Sequence, residues 1–289
     1  MLGNRRLRVV HLTSSGGLAA IREHGCEPDL VLPRNQNGCT PVNRLLLFAC
    51  LASCVTLSAQ DSIPAGTVLP VALNSTLNTR KLKPGQRISA TVMQEVPASD
   101  ALVIPIRSKV LGRVVEVSPP SSTGGANLTV QFDTLLASRR RIPIHTNLRA
   151  MASMMDVHAA QIPSSGPDRG TSDKAWTTSQ IGGEVVYRGG GPVARGLEEV
   201  GKPVPNGVLA RTSARLGTQC RAEVGGNDRL QALWVFSSDA CGLYGLAGVN
   251  LVHAGRSHPT GKITFAADRG ELNLRSGSGL LLRVIEPGP

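Results

Sequence analysis

Few stretches of this 289-residue chain could carry chemistry. The densest is Ser237-Ser238-Asp239, followed downstream by His253 and His258. These are the residue types of acyl transfer, in which a hydroxyl attacks and an imidazole carries its proton. Ser238, Asp239 and His253 are therefore the candidate catalytic residues of a hydrolase. Against that reading, no G-x-S-x-G elbow surrounds either serine. Asp239, just ahead of Ala240-Cys241-Gly242, also suits an ordinary turn. The simpler expectation is that the chain carries no catalytic residue.

The cysteines come next. Of six, Cys26, Cys39, Cys50 and Cys54 precede residue 60, which leaves Cys220 and Cys241. In an oxidising compartment two such cysteines pair, so a Cys220–Cys241 disulfide is expected. Neither has a CxxC neighbour, which makes the bond structural and argues against zinc. Gly189-Gly190-Gly191-Pro192-Val193-Ala194 fits G-x-G-x-x-A. A dinucleotide site needs a helix directly after it. Gly196, Gly201 and Pro203 interrupt any such helix, so the stretch reads as a surface loop. His145 and His158 stand alone. No metal and no cofactor is expected. Asn74-Ser75-Thr76 and Asn127-Leu128-Thr129 match the glycosylation pattern, a chance match in a bacterial-type exported chain.

The formal charge is +11 and aromatics make up only 3% of residues. The basic residues are scattered, with one tight run at Arg139-Arg140-Arg141. So few aromatics exclude a base-stacking platform for single-stranded nucleic acid. The run reads as a solvated basic edge, and no nucleic-acid partner is expected. An acidic envelope polymer is the alternative partner that such a charge would suit.

Export is the clearest message. Arg44 precedes an apolar run from Leu45 through Leu51, and small residues follow to Ala59. That pattern is a signal peptide, at 42–59, and the run is short for a membrane span. A signal normally opens a chain, so the native start is placed at Val42, with 1–41 a non-native or disordered extension. Two processing routes fit. Leu51-Ala52-Ser53-Cys54 resembles a lipobox, which makes Cys54 a lipidation candidate. Ser58 or Ala59 could instead end a cleavable signal. Membrane association is expected only through the signal or a lipidated Cys54. The destination is the periplasm, outer membrane or cell surface.

The positioning elements are strands. Gly 32 and Pro 19 punctuate short apolar runs, which favours β structure. Residues 63–150 read as a small β-barrel, 151–180 as a linker or long loop, and 181–289 as a C-terminal β region that packs on the barrel or completes it. Val68–Leu73 is almost wholly apolar, whereas Leu128–Phe132 alternates cleanly. Leu230–Phe236 reads as a buried strand. The order Ile63-Pro64-Ala65-Gly66-Thr67, then Pro84-Gly85, then Ile104-Pro105-Ile106-Arg107-Ser108 also hints at an internal duplication.

Over roughly residues 63–145 this order resembles the C-terminal barrel of TrbI-like proteins, channel subunits of conjugation and type IV secretion machines. The resemblance implies a barrel fold and a place in a secretion-type assembly. It departs at Arg107, where the second turn would carry Gly, and it lacks a long anchor and a Pro-rich linker. The chain after its signal also resembles exported bacterial β proteins that pair such a barrel with the segment Ala232–Gly242. That likeness implies no activity. The fold class expected is mainly β. The expected function is an envelope protein with a structural or interaction role, partnered by other envelope proteins.

Overall fold

A computed structural model describes residues 62–122, 124–163, 176–220 and 223–286. The extension at 1–41, the signal at 42–59 and Cys54 lie outside the described residues.

The first part of the chain forms β1 (Val68–Leu73), β2 (Leu77–Asn78), β3 (Arg87–Val92), β4 (Val96–Pro97), β5 (Val103–Ile104), β6 (Lys109–Ser118), β7 (Asn127–Ala137), β8 (Arg140–Pro143) and β9 (His145–Ala152). A helix, α1 (Met154–Gln161), follows. Then come β10 (Thr177–Ser179), β11 (Val185–Tyr187), β12 (Val193–Arg195), β13 (Glu198–Val204), β14 (Gly207–Thr212) and β15 (Asn227–Ala232). The last strands are β16 (Gly242–Tyr244), β17 (Val249–Ala254), β18 (Ile263–Ala267), β19 (Asn273–Leu274) and β20 (Gly279–Ile285).

Ten strands share one sheet in the order β16-β9-β20-β1-β3-β6-β7-β18-β17, with β8 also paired to β7. The sheet curls until its ends, β16 and β17, approach each other, giving a nearly closed barrel. Strands β10 to β15 form a separate six-stranded meander. The fold is therefore mainly β, as the turn-rich sequence implies.

Alternation explains the barrel wall. In β3, Ile88, Ala90 and Val92 are buried, and in β18 so are Ile263, Phe265 and Ala267. These side chains face the barrel interior. Strands β1, β9 and β20 do not alternate, because both of their faces are covered. Leu69, Val71, Leu148 and Leu282 point into the barrel core. Val68, Ala150, Ala152 and Leu281 point outward, onto Val186, Val208, Leu233 and Phe236. Each large apolar side chain buried this way contributes roughly 1.5–3 kcal/mol.

The stretch 181–289 both packs on the barrel and completes it. Its meander covers the outer face, while β16, β17, β18 and β20 enter the barrel sheet. Pairs β1–β20 and β7–β18 join the two stretches. The segment read as a linker starts with the last residues of β9, continues as α1 and ends in β10. Ser153 starts the helix by accepting the Asp156 N–H at 3.1 Å. The run Leu230–Phe236 is not one strand: β15 stops at Ala232, and Trp234 turns the chain with φ 52°.

The suspected duplication has a backbone counterpart. Thr67 N–H donates to Pro64 O at 3.2 Å with Gly66 at φ 85°. Ser108 N–H donates to Pro105 O at 3.2 Å with Arg107 at φ 69°. Both are turns that need a left-handed third residue. Gly takes that conformation freely, whereas a residue with a Cβ is strained by about 1 kcal/mol. Arg107 is exposed and its charge has room to be lost. Arg107→Gly should therefore stabilise the protein by about 1 kcal/mol, a rise of roughly 2–4 °C in melting temperature. A melting temperature that falls would show that the guanidinium has a compensating role.

Candidate functional site

The Ser237–Gly242 turn sits between the meander and the barrel wall, and it is built on charges. Glu184, 1% exposed, points its carboxylate at Ser238. Its Oε2 accepts the Ser238 N–H at 3.0 Å, and its Oε1 accepts the Ser238 hydroxyl. Arg195 Nη2 lies 3.3 Å from Glu184 Oε1 and also donates to Ser238 Oγ. Ser237 Oγ donates to Asp239 Oδ1 at 2.8 Å. Asp239 in turn lies 4.0 Å from Arg195 Nη1. Both serines are wholly buried. A bidentate carboxylate holding a buried N–H and O–H is a clamp on the backbone.

Arg149 holds the same turn from the barrel side. It is 2% exposed, and all five of its N–H groups meet backbone carbonyls. Nε donates to Ala240 O at 3.1 Å, Nη2 to Ser213 O at 2.9 Å and Ser238 O at 3.0 Å. Nη1 donates to Gly225 O at 2.9 Å and Val224 O at 3.4 Å. Burial first, and then Arg283 and Arg256, lower its pKa to about 10, so it is still a cation at neutral pH.

Cys220 and Cys241 are joined by a disulfide, with Cα atoms 5.5 Å apart and a sequence separation of 21. The bond closes the same turn against the 213–220 segment. The Tyr244 hydroxyl accepts the Cys241 N–H at 3.2 Å, and burial raises the pKa of that hydroxyl.

His253 belongs to a different place. It lies on β17, at the barrel seam, beside a cleft of about 730 Å³ shared with Cys220, Arg256 and Ser257. Its Nδ1 is 2.8 Å from Lys262 O and 3.0 Å from the Gly255 N–H, so one ring nitrogen serves one of the two at a time. Its Nε2 is 3.2 Å from Ser257 Oγ. Thus the structure brings Ser238 and Asp239 together around Glu184 and Arg195, and it pairs His253 with Ser257 instead. Ser238 meets a carboxylate and no imidazole.

Other residues singled out in the sequence are placed more simply. Arg139, Arg140 and Arg141 are exposed at the β7–β8 hairpin, whose Ser138 and Arg139 have φ 48° and 65°. The Gly189–Pro192 loop joins β11 to β12 as a strand connection. His145, His158 and His258 are exposed. Among the described residues, no group of three or more His, Cys, Asp or Glu could hold a metal ion. Nor is any helix among them long and apolar enough to cross a membrane.

Sequence reasoning misses Glu184, Arg195, Arg149 and Ser257. Arg149 has a legible signal, a single charge inside the apolar stretch Leu148–Ala152. Glu184 has a weaker one, and Ser257 has none. No protein-family model, curated protein or solved structure matches this chain.

Proposed function

We propose that this chain is an exported bacterial cell-envelope protein with a structural or interaction role in a surface or secretion-type assembly. The observation that carries this reading is the Cys220–Cys241 disulfide, because such bonds persist in oxidising spaces and are rare in the cytosol. The bond closes a loop within the folded unit and has no CxxC partner, which suits a structural staple. The Arg44-led signal pattern and the small barrel point the same way. So does the arrangement around Ser238, where Glu184 holds the Ser238 N–H and Arg149 holds the Ser238 carbonyl, fixing the turn from both sides. Its partners are other envelope proteins, and the exposed Arg139–Arg141 edge is a solvated one.

A second reading, an exported hydrolase, is favoured by one observation at the seam. There Ser257 Oγ, His253 Nε2 and Lys262 O form a chain with steps of 3.2 and 2.8 Å. An imidazole oriented by a carbonyl and facing an exposed hydroxyl is a general-base arrangement.

One preparation of the native protein tests both readings. N-terminal sequencing should find a start near Cys54 or Gln60, and mass spectrometry should find no alkylatable thiol. Reducing the bond should cost about 3 kcal/mol of stability, as expected for a loop of this length. Cross-linking in envelope fractions should recover other envelope proteins. An intact chain starting at Met1 with two free thiols would overturn the first reading. Labelling of Ser257 by a fluorophosphonate, lost in His253→Ala, would establish the second.

A further inference from the structure

The chain has two tryptophans, and both line one cleft. This cleft lies between the end of α1 and the meander and encloses about 570 Å³, within the range of small-ligand sites. Trp176 forms one wall and is 46% exposed, unusual for so large a ring. Trp234 and Val235 form the floor. Arg188 is the one charged side chain among the described residues that line it. Arg188 N–H donates to Trp176 O at 2.7 Å, so the two are cross-strand neighbours whose side chains share a face. Thr178 lies on that face as well. Asn206 and Gln161 add neutral donors and acceptors at the rim.

The floor is fixed from behind. Trp234 sits at φ 52°, a conformation that a bulky residue rarely adopts and that clusters at ligand sites. Gln94, wholly buried in the connection from β3 to β4, holds it there. Its Oε1 accepts the Trp234 N–H at 2.7 Å and the Val208 N–H at 3.2 Å, while its Nε2 donates to Val208 O at 2.8 Å. Gly207 completes the joint, since a Cβ there would stand 2.0 Å from Gln94 Oε1. Arg188 Nη1 donates to Gly207 O at 2.9 Å, tying the guanidinium to the same wall. Burial lowers the Arg188 pKa, the mark of a cation partly stripped of water.

We propose that this cleft binds a carboxylated sugar ring of a saccharide chain, with the ring against Trp176 and its carboxylate on Arg188. A flat exposed indole suits the apolar face of a sugar, and planar amides and a hydroxyl suit its oxygens. A guanidinium recognises a carboxylate through paired N–H groups. Proline-rich peptides are the weaker fit, since they dock between aromatic ridges and this cleft exposes a single ring. The inference stands apart from export and would hold for the protein in any compartment.

The test uses the protein's own two indoles. Tryptophan fluorescence should change saturably on titration with trigalacturonate at physiological salt. α-1,4-Galactotriose, its neutral counterpart, should bind about tenfold more weakly, the worth of one charge-assisted contact. Trp176→Ala, an exposed site, should weaken trigalacturonate binding about tenfold or more, as removal of a stacking ring does. Arg188→Gln should erase the preference for the carboxylated sugar, and Arg188→Lys should keep part of it. If Arg188→Gln melts early, the Lys variant and Trp176→Ala still decide the matter. The proposal fails if no saturation occurs below about 10 mM, too weak for a built site. It also fails if Trp176→Ala binds as well as the parent, or if a proline-rich decapeptide binds more tightly than trigalacturonate.

Discussion

Replacing Arg149 with Met is expected to cost about 3–5 kcal/mol of stability. Met fills much of the same space but donates nothing. Five carbonyls from three separate segments then lose the Arg149 donor; Val224 O keeps Arg283 and Ser238 O keeps the Ser213 N–H, but Ser213 O, Gly225 O and Ala240 O lose the side-chain donor that held them. The segments around Ser213, Val224 and the Ser238–Ala240 turn would each have to find water or shift. Arg149→Lys should recover little, because an ammonium has three donors in a compact cone, while a guanidinium spreads five in a plane. Urea unfolding of the three proteins should show the midpoint falling with a similar slope. The melting temperature of the Met variant should drop by roughly 10 °C. A loss under about 1 kcal/mol would mean that the carbonyls are resolvated cheaply and that Arg149 is not the hub of this region.

The second large effect is expected at Glu184. Glu184→Ala removes the carboxylate that holds the Ser238 N–H and hydroxyl and leaves Arg195, 23% exposed, with only the more distant Asp239 carboxylate, 4.0 Å from its Nη1. Breaking a buried pair from one side typically costs about 3–5 kcal/mol. Glu184→Gln keeps one acceptor and should cost less, about 1–3 kcal/mol. The double variant Glu184→Ala with Arg195→Met should be more stable than the sum of its parts predicts, because the stranded cation goes with the anion. A coupling of about 1 kcal/mol or more in that cycle would identify the pair as a unit. Additive losses would mean that the two side chains act separately. Ser238→Ala joins the comparison with a sharper point. A buried clamp loses stability when its serine is removed and has no turnover to lose.

These two side chains show why the Ser237–Asp239 motif cannot be read from its own residues. Its residue types are those of a hydrolase, yet their partners come from β11's approach and from β12 and β9. Glu184 stands 54 residues before Ser238, and the carbonyls around Arg149 lie 64 to 91 residues after it. The motif is local, but the groups that decide what it does are remote in the chain.

The sequence by itself determined what depends on near neighbours. Alternation in Arg87–Val92 set one face in the barrel, because side chains along a strand point to opposite sides. Pro-x-Gly and Pro-Gly set the turns, because φ is restricted residue by residue. The count of cysteines left after residue 60 set the Cys220–Cys241 pair, because no other partner remained. Only the tertiary structure decided how distant segments meet. It joined β1 to β20 and β7 to β18, so that the stretch after residue 181 completes the barrel as well as packing on it, two outcomes between which the sequence does not choose. It moved His253 from Ser238 to Ser257, and it gathered Trp176, Arg188 and Trp234 around one cleft. Pairings of that kind depend on how curved sheets close and on which faces remain to be buried. Those are properties of the whole chain in space, and no short window of residues contains them.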